Sequence, residues 1–492
     1  MDYINLLPNH VLTKIFGNLS PGMTKSCTLV CKRWDEIIGT TSELMKRYQL
    51  NLEDIEEHEM KKAMKIQRKH QRVLADWSKS SLNVILRHKL QFLTFTEFEY
   101  TPVKLSTLVE TLNNLPSLKY FDANLLTLKK SENCLNQVST NIEQLKCAVE
   151  IIGIFACCTV RKLKIYSYRS RSFNKQMNYS IFNFLKTQKD LEELELIGKL
   201  FSELFTLPDF IVLKFPLKVL KYSSCTPFTH YKEFIKFLNQ HKRTLTSLEV
   251  DYSTEPQFGI ELIHKFALEN LINLKHFKIG RLRDNHQISY HELTDSTSIT
   301  KNIESLAIKA RSTDMNENKR FLNMFPNIKK LNFDKSENDE ELLCCISEIC
   351  VNIERLEVSS LDKDFNNPKI LFPKLKELII NHDGGDISVF ITRHSNTLEK
   401  ISFKEFDYFP SSFAKSVLSC PNLNYLKLNL GELSFASIVM IYSISSRSKP
   451  FKLVFTRTRP SFDSNFVTQH YTFNFPEDIA IFKDFWDENE CD

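Results

Sequence analysis

The residues of this chain that could act as nucleophiles or metal ligands lack the spacings that such chemistry requires. Its 12 cysteines form no CxxC pair, the usual arrangement of zinc ligands. There is no GxSxG nucleophile elbow, and no HExxH zinc motif, since His291-Glu292 continues as Leu-Thr-Asp. We therefore expect no catalytic residue, no metal ion and no cofactor.

Glycine is too scarce for a phosphate-binding loop. The chain has 10 glycines in 492 residues, about 2%, against about 7% in average proteins. No two of them are separated by a single residue, so the GxG core of a dinucleotide fingerprint is absent. Such loops use glycine to bring backbone N–H groups close to phosphate. The sequence thus excludes dinucleotide fingerprints and P-loops.

Charge, cysteines and apolar runs indicate a reducing compartment. Basic residues number 65 against 60 acidic ones, and a net charge of +5 gives no reason to expect a nucleic-acid or membrane partner. The first residues have no basic segment and no long apolar run, so we expect no signal peptide. The longest apolar stretches, 151–158 and 435–442, are far shorter than the ~20 residues of a membrane span. Free cysteines then favour a cytoplasmic and/or nuclear protein.

A short phrase recurs through most of the chain: apolar, two variable residues, apolar, one variable residue, apolar. Clear copies such as LEELEL and IERLEV begin at Leu191, Leu245, Leu274, Ile303, Ile328, Ile353, Leu375, Leu398 and Leu423. Weaker copies begin at Leu90, Leu118, Ile142, Val160 and Leu217. The 14 starts have a mean spacing of about 26 residues.

This phrase and its period resemble leucine-rich repeats. Its LxL residues would form a short strand with alternate side chains inward, and stacked units bury a core that one unit cannot. Between phrases apolar residues recur at three and four, as in Phe234, Phe237 and Leu238, which is typical of a helix packed on a sheet. The family's asparagine after the last leucine is mostly missing, so we expect an irregular curvature.

Residues 4–38 combine an apolar stripe with a chain too short to bury it. Pro8 can begin a helix, and apolar residues then recur at three and four as far as Leu19. Ser20-Pro21-Gly22 ends this helix, and two further short helices would carry Val30 and Trp34. Fewer than ~40 residues are rarely stable alone. The segment therefore needs a partner, either the repeats or another protein.

The motifs LP, VLxxIFxxL and VCKRW in this segment resemble an F-box. The resemblance implies a substrate receptor of an SCF-type ubiquitin ligase, bound through a Skp-type adaptor to cullin and RING subunits. The residues implied to build the domain and its adaptor surface are Leu7, Pro8, Val11, Leu12, Ile15, Phe16, Leu19, Val30, Cys31 and Trp34. Two positions depart from the pattern: Asn9 follows LP where an acid is common, and Thr24 replaces a leucine.

The predicted fold class is α/β: an N-terminal three-helix F-box followed by an irregular leucine-rich-repeat solenoid, a curved parallel sheet with outer helices. The boundaries are 1–45 for the F-box, 46–81 for a helical linker, 82–450 for the solenoid and 451–492 for a cap and acidic tail. The linker is predicted helical because no Gly or Pro stands between Asn51 and Ser81.

The strand residues that alternate with the inward ones would face the concave side, the usual binding surface of a solenoid. The candidate target contacts are Glu193, Glu195, Glu249, Asp251, Lys400, Lys404 and Lys427. They make the N-terminal half of the strip acidic and its far end basic. We expect this surface to hold a protein marked for ubiquitination and proteasomal degradation. The alternative is an interaction scaffold without ubiquitin transfer.

Overall fold

The computed structural model describes residues 7–18, 24, 27, 30–41, 44, 49–52, 71–75, 82, 85–86, 90–95, 104–123, 137–167, 175–198, 201–207, 209–224, 230–252, 258–279, 302–308, 315–333, 340–358, 367–381, 387–403, 411–430, 451–460 and 466–475. The chain divides into two compact units, Met1–Thr244 (unit 1) and Leu245–Asp492 (unit 2).

Unit 1 combines two N-terminal helices with parallel strands. The helices are α1 (Asn9–Asn18) and α2 (Lys32–Thr40). The described strands are β1 (Gln49–Leu52), β2 (Arg72–Ala75), β3 (Phe92–Phe95), β4 (Tyr120–Ala123), β5 (Gln144–Ala148), β6 (Lys162–Ser167), β7 (Glu193–Gly198) and β8 (Val219–Ser224). Each strand pairs in parallel with the next along the chain.

Unit 2 repeats this architecture. Its described strands are β9 (Ser247–Tyr252), β10 (His276–Ile279), β11 (Ser305–Ile308), β12 (Lys330–Phe333), β13 (Arg355–Val358), β14 (Glu377–Ile380), β15 (Lys400–Phe403), β16 (Tyr425–Leu430), β17 (Phe451–Pro460) and β18 (Phe466–Phe475). Successive strands from β9 to β17 are parallel. The last pair, β17 and β18, is antiparallel over ten residue pairs.

The predicted repeat is present in the strands. Every one of the 14 predicted starts is followed two residues later by the first residue of a strand, from Phe92 after Leu90 to Tyr425 after Leu423. The first and fourth phrase positions are buried in each copy, as at Ile353 and Leu356. Parallel pairing stacks these positions, for example Leu331, Leu356 and Leu378. A mixed α/β, solenoid-like repeat of parallel strands is therefore confirmed.

The segments that return from one strand to the next vary in type. In unit 1 they include α3 (Leu105–Asn113), α4 (Lys175–Thr187), α5 (Tyr231–Gln240) and the 3₁₀ helices Val149–Phe155, Phe201–Thr206 and Phe210–Val212. In unit 2 they include α6 (Phe258–Asn270), α7 (Met315–Asn323), α8 (Glu340–Ile349), α9 (Ser388–Arg393) and α10 (Ser411–Leu418). As the spacing predicts, α5 buries Phe234, Phe237 and Leu238.

The prediction of a helical linker over 46–81 is wrong where the structure describes it. Gln49–Leu52 and Arg72–Ala75 are paired parallel strands, so the sheet begins before residue 82. Their apolar residues follow the period of two: Leu52, Val73 and Ala75 are buried. Absence of Gly and Pro removes helix breakers but does not by itself favour a helix. The basic residues from 61 to 69 lie outside the described residues.

The C-terminal end begins as a strand pair, and residues 476–492, the predicted acidic tail, lie outside the described part of the chain. In β17, Phe451 and Leu453 are buried and Lys452 is exposed, so this strand continues the alternation of the repeat. Its register places Leu453 beside Leu426 of β16. Residues 451–454 thus extend the repeat rather than begin a different fold.

Asparagines at the helix-to-strand turns tie neighbouring repeats of unit 2 together. The Asn302 side-chain amide donates to the Ile272 carbonyl at 2.8 Å, and Asn422 donates to the Asn396 carbonyl at 2.8 Å. A longer bond of 3.4 Å joins Asn352 to the Pro326 carbonyl. These bonds satisfy turn carbonyls that the strand ladder does not reach. Side-chain amides therefore link the repeats before the strand, not after it.

Candidate functional site

The N-terminal domain is organised around a small apolar core. Leu12 and Phe16 of α1 are buried against Ile37 and Ile38 of α2 and against Leu44. Leu7, Cys27 and Trp34 pack on this core while keeping partial exposure. The Phe16 and Trp34 rings meet edge to face with centroids 5.2 Å apart. The predicted stripe thus packs inside the domain along one of its sides.

The other side of the same helix is open. Ile15 is 39% exposed, and Val30, just before α2, is 58% exposed. Pro8 is exposed and Val11 is half-buried, while Cys31 is half-buried at the N-cap of α2. Leu19 lies outside the described residues. The nine predicted adaptor residues that the structure describes therefore divide between the core and apolar side chains that stay partly or largely exposed.

Arg33 joins the two helices and was not anticipated from the sequence. Its guanidinium donates to the Asn9 side-chain oxygen at 2.8 and 3.2 Å and to the Leu7 carbonyl at 2.5 Å. Asn9, one of the two departures from the F-box pattern, therefore has a defined role at the start of α1. The other departure, Thr24, is buried and donates its hydroxyl to the Phe16 carbonyl at 3.3 Å.

The open strand face, which we define as the strand residues that alternate with the buried ones, is charge-paired in unit 1. Lys162 contacts Glu193 and Lys164 contacts Glu195, each at 2.7 Å. Both predicted target contacts are therefore neutralised by lysines of the preceding strand. A cavity of about 230 Å³ on this face is lined by Gln144, Leu145, Lys146, Lys162, Leu163, Lys164, Glu193, Leu194, Glu195, Val219 and Lys221. The expected acidic character of this half is not found in the described residues.

Aromatic rings and cations alternate across β2 to β5 of the same face. The Arg72 guanidinium lies 4.3 Å from the Phe92 ring centroid, and the Phe92 and Tyr120 rings are 5.9 Å apart. The Tyr120 hydroxyl donates to Asp122 at 3.0 Å, and Lys146 lies 3.4 Å from the same carboxylate. Burial would lower the pKa of Lys146, but its bond with Tyr120 and the Asp122 charge outweigh that effect and raise it.

In unit 2 the predicted acidic contacts are also paired, whereas the two described basic ones have no acidic partner within the described part of the chain. Lys278 lies against both Glu249 and Asp251, the latter at 3.9 Å. Lys400 is exposed and Lys427 is half-buried on the open strand face. Neither of these lysines has an acidic partner among the described residues. Lys404 lies outside the described residues.

A second depression of about 590 Å³ follows the turns of unit 2. It is lined by Asn273, Lys275, Asn302, Glu304, Asn327, Lys329, Asn352, Glu354 and Lys374. The ion pair of Lys329 with Glu304 at 3.5 Å and the hydrogen bond that Lys374 donates to the Asn352 side-chain oxygen at 2.7 Å link neighbouring repeats. This depression consists of groups that hold the turns together.

Buried titratable groups in the repeats lie in apolar surroundings. Burial raises the pKa of the Cys158 and Cys350 thiols to about 12, which keeps them protonated and poorly nucleophilic. Burial lowers the pKa of His241, His264 and His394 to about 4, so these imidazoles are neutral at pH 7. Both ring nitrogens of His264 lack a hydrogen-bond partner. These groups belong to the core.

Within the described residues, no group of three or more His, Cys, Asp or Glu side chains is arranged to hold a metal ion. The helices described here include none with the length and apolar character needed to cross a bilayer.

Comparison with known proteins identifies the N-terminal domain. Residues 4–51 match the model of the F-box-like family, so the chain carries an F-box-like domain there. F-box domains are typically non-catalytic modules that bind Skp-type adaptors, which suggests a general adaptor role in an SCF-type complex. No curated protein matches the chain significantly. The family match ends at residue 51, and the repeat beyond it is defined by the geometry of its strands.

Proposed function

We propose that this protein is the substrate-recognition subunit of an SCF-type ubiquitin ligase. The F-box-like domain binds a Skp-type adaptor and, through it, the cullin and RING subunits. The strand repeats, which resemble leucine-rich repeats, bind the target protein. The observation that carries this proposal is the F-box-like match over residues 4–51, on a folded domain that leaves Ile15 and Val30 exposed.

The exposed apolar side of α1 suits adaptor docking on energetic grounds. Fully burying one large apolar side chain contributes about 1.5–3 kcal/mol, and association costs roughly 4–15 kcal/mol. Several such residues must therefore be buried together. Ile15, Val30, Val11 and Pro8 offer such a set, and a charge at any of them leaves an unpaired ion in the interface.

A receptor of this kind needs no catalytic residue. It raises the local concentration of the target near an activated conjugating enzyme, so the gain in rate comes from proximity. We place the protein in the cytoplasm or nucleus and propose proteasomal degradation as the fate of the ubiquitinated target.

The test is affinity purification of the full chain carrying Ile15→Asp. We expect loss of the adaptor, because the change places a charge on the exposed side of α1 without disturbing the core. The matched control is Val212→Asp, which charges an equally apolar side chain that is 59% exposed in the repeats, and which should retain the adaptor.

Retention of the adaptor by Ile15→Asp and by Val30→Asp would refute the docking surface. Recovery of the cullin with the wild-type chain separates the two functions considered for this protein. Its presence supports a ligase receptor, and its absence from a complex that contains the adaptor supports an interaction scaffold without ubiquitin transfer.

A further inference from the structure

Two cations on the open strand face of unit 2 are neutralised by neighbouring carboxylates. Lys278 of β10 lies against Glu249 and Asp251 of β9. Arg355 of β13 lies 3.7 Å from Glu377 of β14 and 3.5 Å from a carboxylate on its own strand. In unit 1, Lys146 with Asp122, Lys162 with Glu193 and Lys164 with Glu195 are paired in the same way. Pairing with acids of neighbouring strands therefore holds for these lysines of unit 1 and for Lys278 and Arg355 of unit 2.

The last parallel strands depart from that pattern. Lys400 of β15, Lys427 of β16 and Lys452 of β17 have no acidic partner within 4 Å among the described residues, and we call them the lysine cluster. Lys400 and Lys452 are exposed, and Lys427 is half-buried. Lys330 of β12 also has no such partner, and the register places it opposite Arg355 of β13, which lies beside Glu377.

The strand register brings the cluster together. Lys400 is opposite Tyr425, and Tyr425 is opposite Lys452, so these three residues form one row across three strands. Lys427 is opposite Ser402 in the next row on the same face. Strands lie about 4.8 Å apart, which places the two outer lysines of the row roughly 10 Å apart at the backbone. Long lysine side chains converge easily over that distance.

Among the described residues, the cluster is short of counter-charge. The acid nearest in register is Glu377, opposite Lys400, and it already lies beside Arg355. Three ammonium groups that share one small surface repel each other until an anion reduces their field. The Tyr425 and Ser402 side chains add hydrogen-bonding groups between the lysines. This arrangement fits a ligand with two or three negative charges at spacings of several ångströms.

We propose that the lysine cluster is the docking site for an acidic segment of the target protein, whose Asp and Glu carboxylates lie opposite Lys400, Lys427 and Lys452. This inference rests on the proposed function, which requires a surface for the target. In an extended segment, side chains on one side repeat about every 6.6–7 Å, which suits the spacing of the cluster.

A nucleic acid fits this surface less well. Non-specific single-strand binding uses several aromatic platforms along a basic groove. The described residues of the cluster offer a single aromatic side chain, Tyr425, over roughly 10 Å. Glu377 at one side further limits the extent of the basic surface.

The experiment uses the purified full-length chain and a fluorescent decapeptide of alternating Asp and Glu. Fluorescence anisotropy is measured at low salt, about 50 mM, where the Debye length exceeds ~10 Å. We expect K400Q/K427Q/K452Q to weaken binding by roughly tenfold or more, since three charge contacts are removed. The charge-matched control K189Q/K236Q/K415Q alters exposed lysines away from the strand face and should bind as the wild type does.

Equal peptide affinity for the two triple variants would overturn the proposal. So would stronger binding of a single-stranded RNA decamer that is likewise reduced only in the cluster variant. Adaptor co-purification is measured in parallel, and the cluster variant should retain it. If the wild-type chain fails to bind the adaptor, the proposed function fails, while cluster-dependent peptide binding still supports an acidic partner for this face.

Discussion

His264 makes the stability of unit 2 sensitive to acid. It lies on α6, is fully buried, and packs edge to face on Phe277 with centroids 5.6 Å apart. Neither ring nitrogen has a hydrogen-bond partner, and burial lowers the pKa of the imidazole to about 4. In the unfolded chain a histidine has a pKa of about 6.5. The unfolded state therefore binds a proton over a range of pH in which the folded state does not.

The sign and size of the effect follow from linkage. Because the folded pKa is the lower one, stability is complete above about pH 6.5 and is lost as the pH falls towards about 4. At pH 5 the unfolded state is favoured by about 2 kcal/mol through this one residue. Replacing it by leucine, which has a similar volume, removes the proton uptake and two unpaired polar atoms. We expect His264→Leu to stabilise the protein modestly at pH 7.5 and by about 2 kcal/mol more at pH 5.

The assay is urea unfolding of the full chain, followed by circular dichroism at both pH values. His394→Leu is the matched comparison, because burial also lowers the pKa of His394 to about 4. That imidazole has both nitrogens engaged, with the Phe390 carbonyl at 2.8 Å and the Phe372 N–H at 3.0 Å. His394→Leu should show the same extra gain at pH 5 relative to pH 7.5. It should nevertheless lower stability at pH 7.5, since it leaves the Phe372 N–H without its partner, whereas the Phe390 carbonyl keeps the bond from the backbone N–H of residue 394. A difference between wild type and His264→Leu that is the same at both pH values would refute the linkage argument.

Two further predictions concern the F-box-like domain and the repeat core. Asn9→Asp should give Arg33 a charged acceptor at the N-terminus of α1 and strengthen the contact between residues 9 and 33 by about 0.5–1 kcal/mol. Amide hydrogen exchange in α1 should then be slower than in the wild type. Unchanged or faster exchange would contradict the role of Arg33. Leu356→Ala, in the buried row of β13, should lower the free energy of unfolding by about 2–5 kcal/mol in urea titrations. Glu357→Ala, at the next position of the strand on the open face, should lower the free energy of unfolding by less than about 1 kcal/mol. Equal losses in the two variants would refute the placement of Leu356 on the buried side and Glu357 on the open face.

The repeat could be predicted because its signal is local and is repeated many times. Each phrase carries the alternation of a strand, and each copy supports the register of the others. The prediction of a helical linker was wrong because it rested only on the absence of Gly and Pro. The residues that show the strand alternation, Leu52, Val73 and Ala75, stand in only two short stretches. A pattern of two or three residues is too short to identify a strand before its neighbour is known.

The candidate site was less predictable because its contacts join distant parts of the chain. The helical period located the stripe on α1 but could not separate Phe16, which is buried, from Ile15, which is exposed. Arg33 was missed because its partner Asn9 is 24 residues away. The pairing of Glu195 with Lys164 could have been predicted from the sequence, since the two residues occupy the same position in consecutive phrases.

The charges at the second phrase position show how repeats that share one phrase can remain in order. In unit 2 they alternate in sign along consecutive copies, Lys275, Glu304, Lys329, Glu354, Lys376 and Glu399. Glu304 lies 3.5 Å from Lys329, and Glu354 lies 3.3 Å from Lys376. These pairs are about half exposed, so each contributes at most about 1 kcal/mol to stability. These pairs matter more for the order of the strands than for stability. If a strand paired with the next but one, Lys329 would lie beside Lys376, and the attraction would be replaced by a repulsion. The buried first and fourth positions of every copy hold apolar side chains without charge, so this alternation supplies information about strand order that those positions do not.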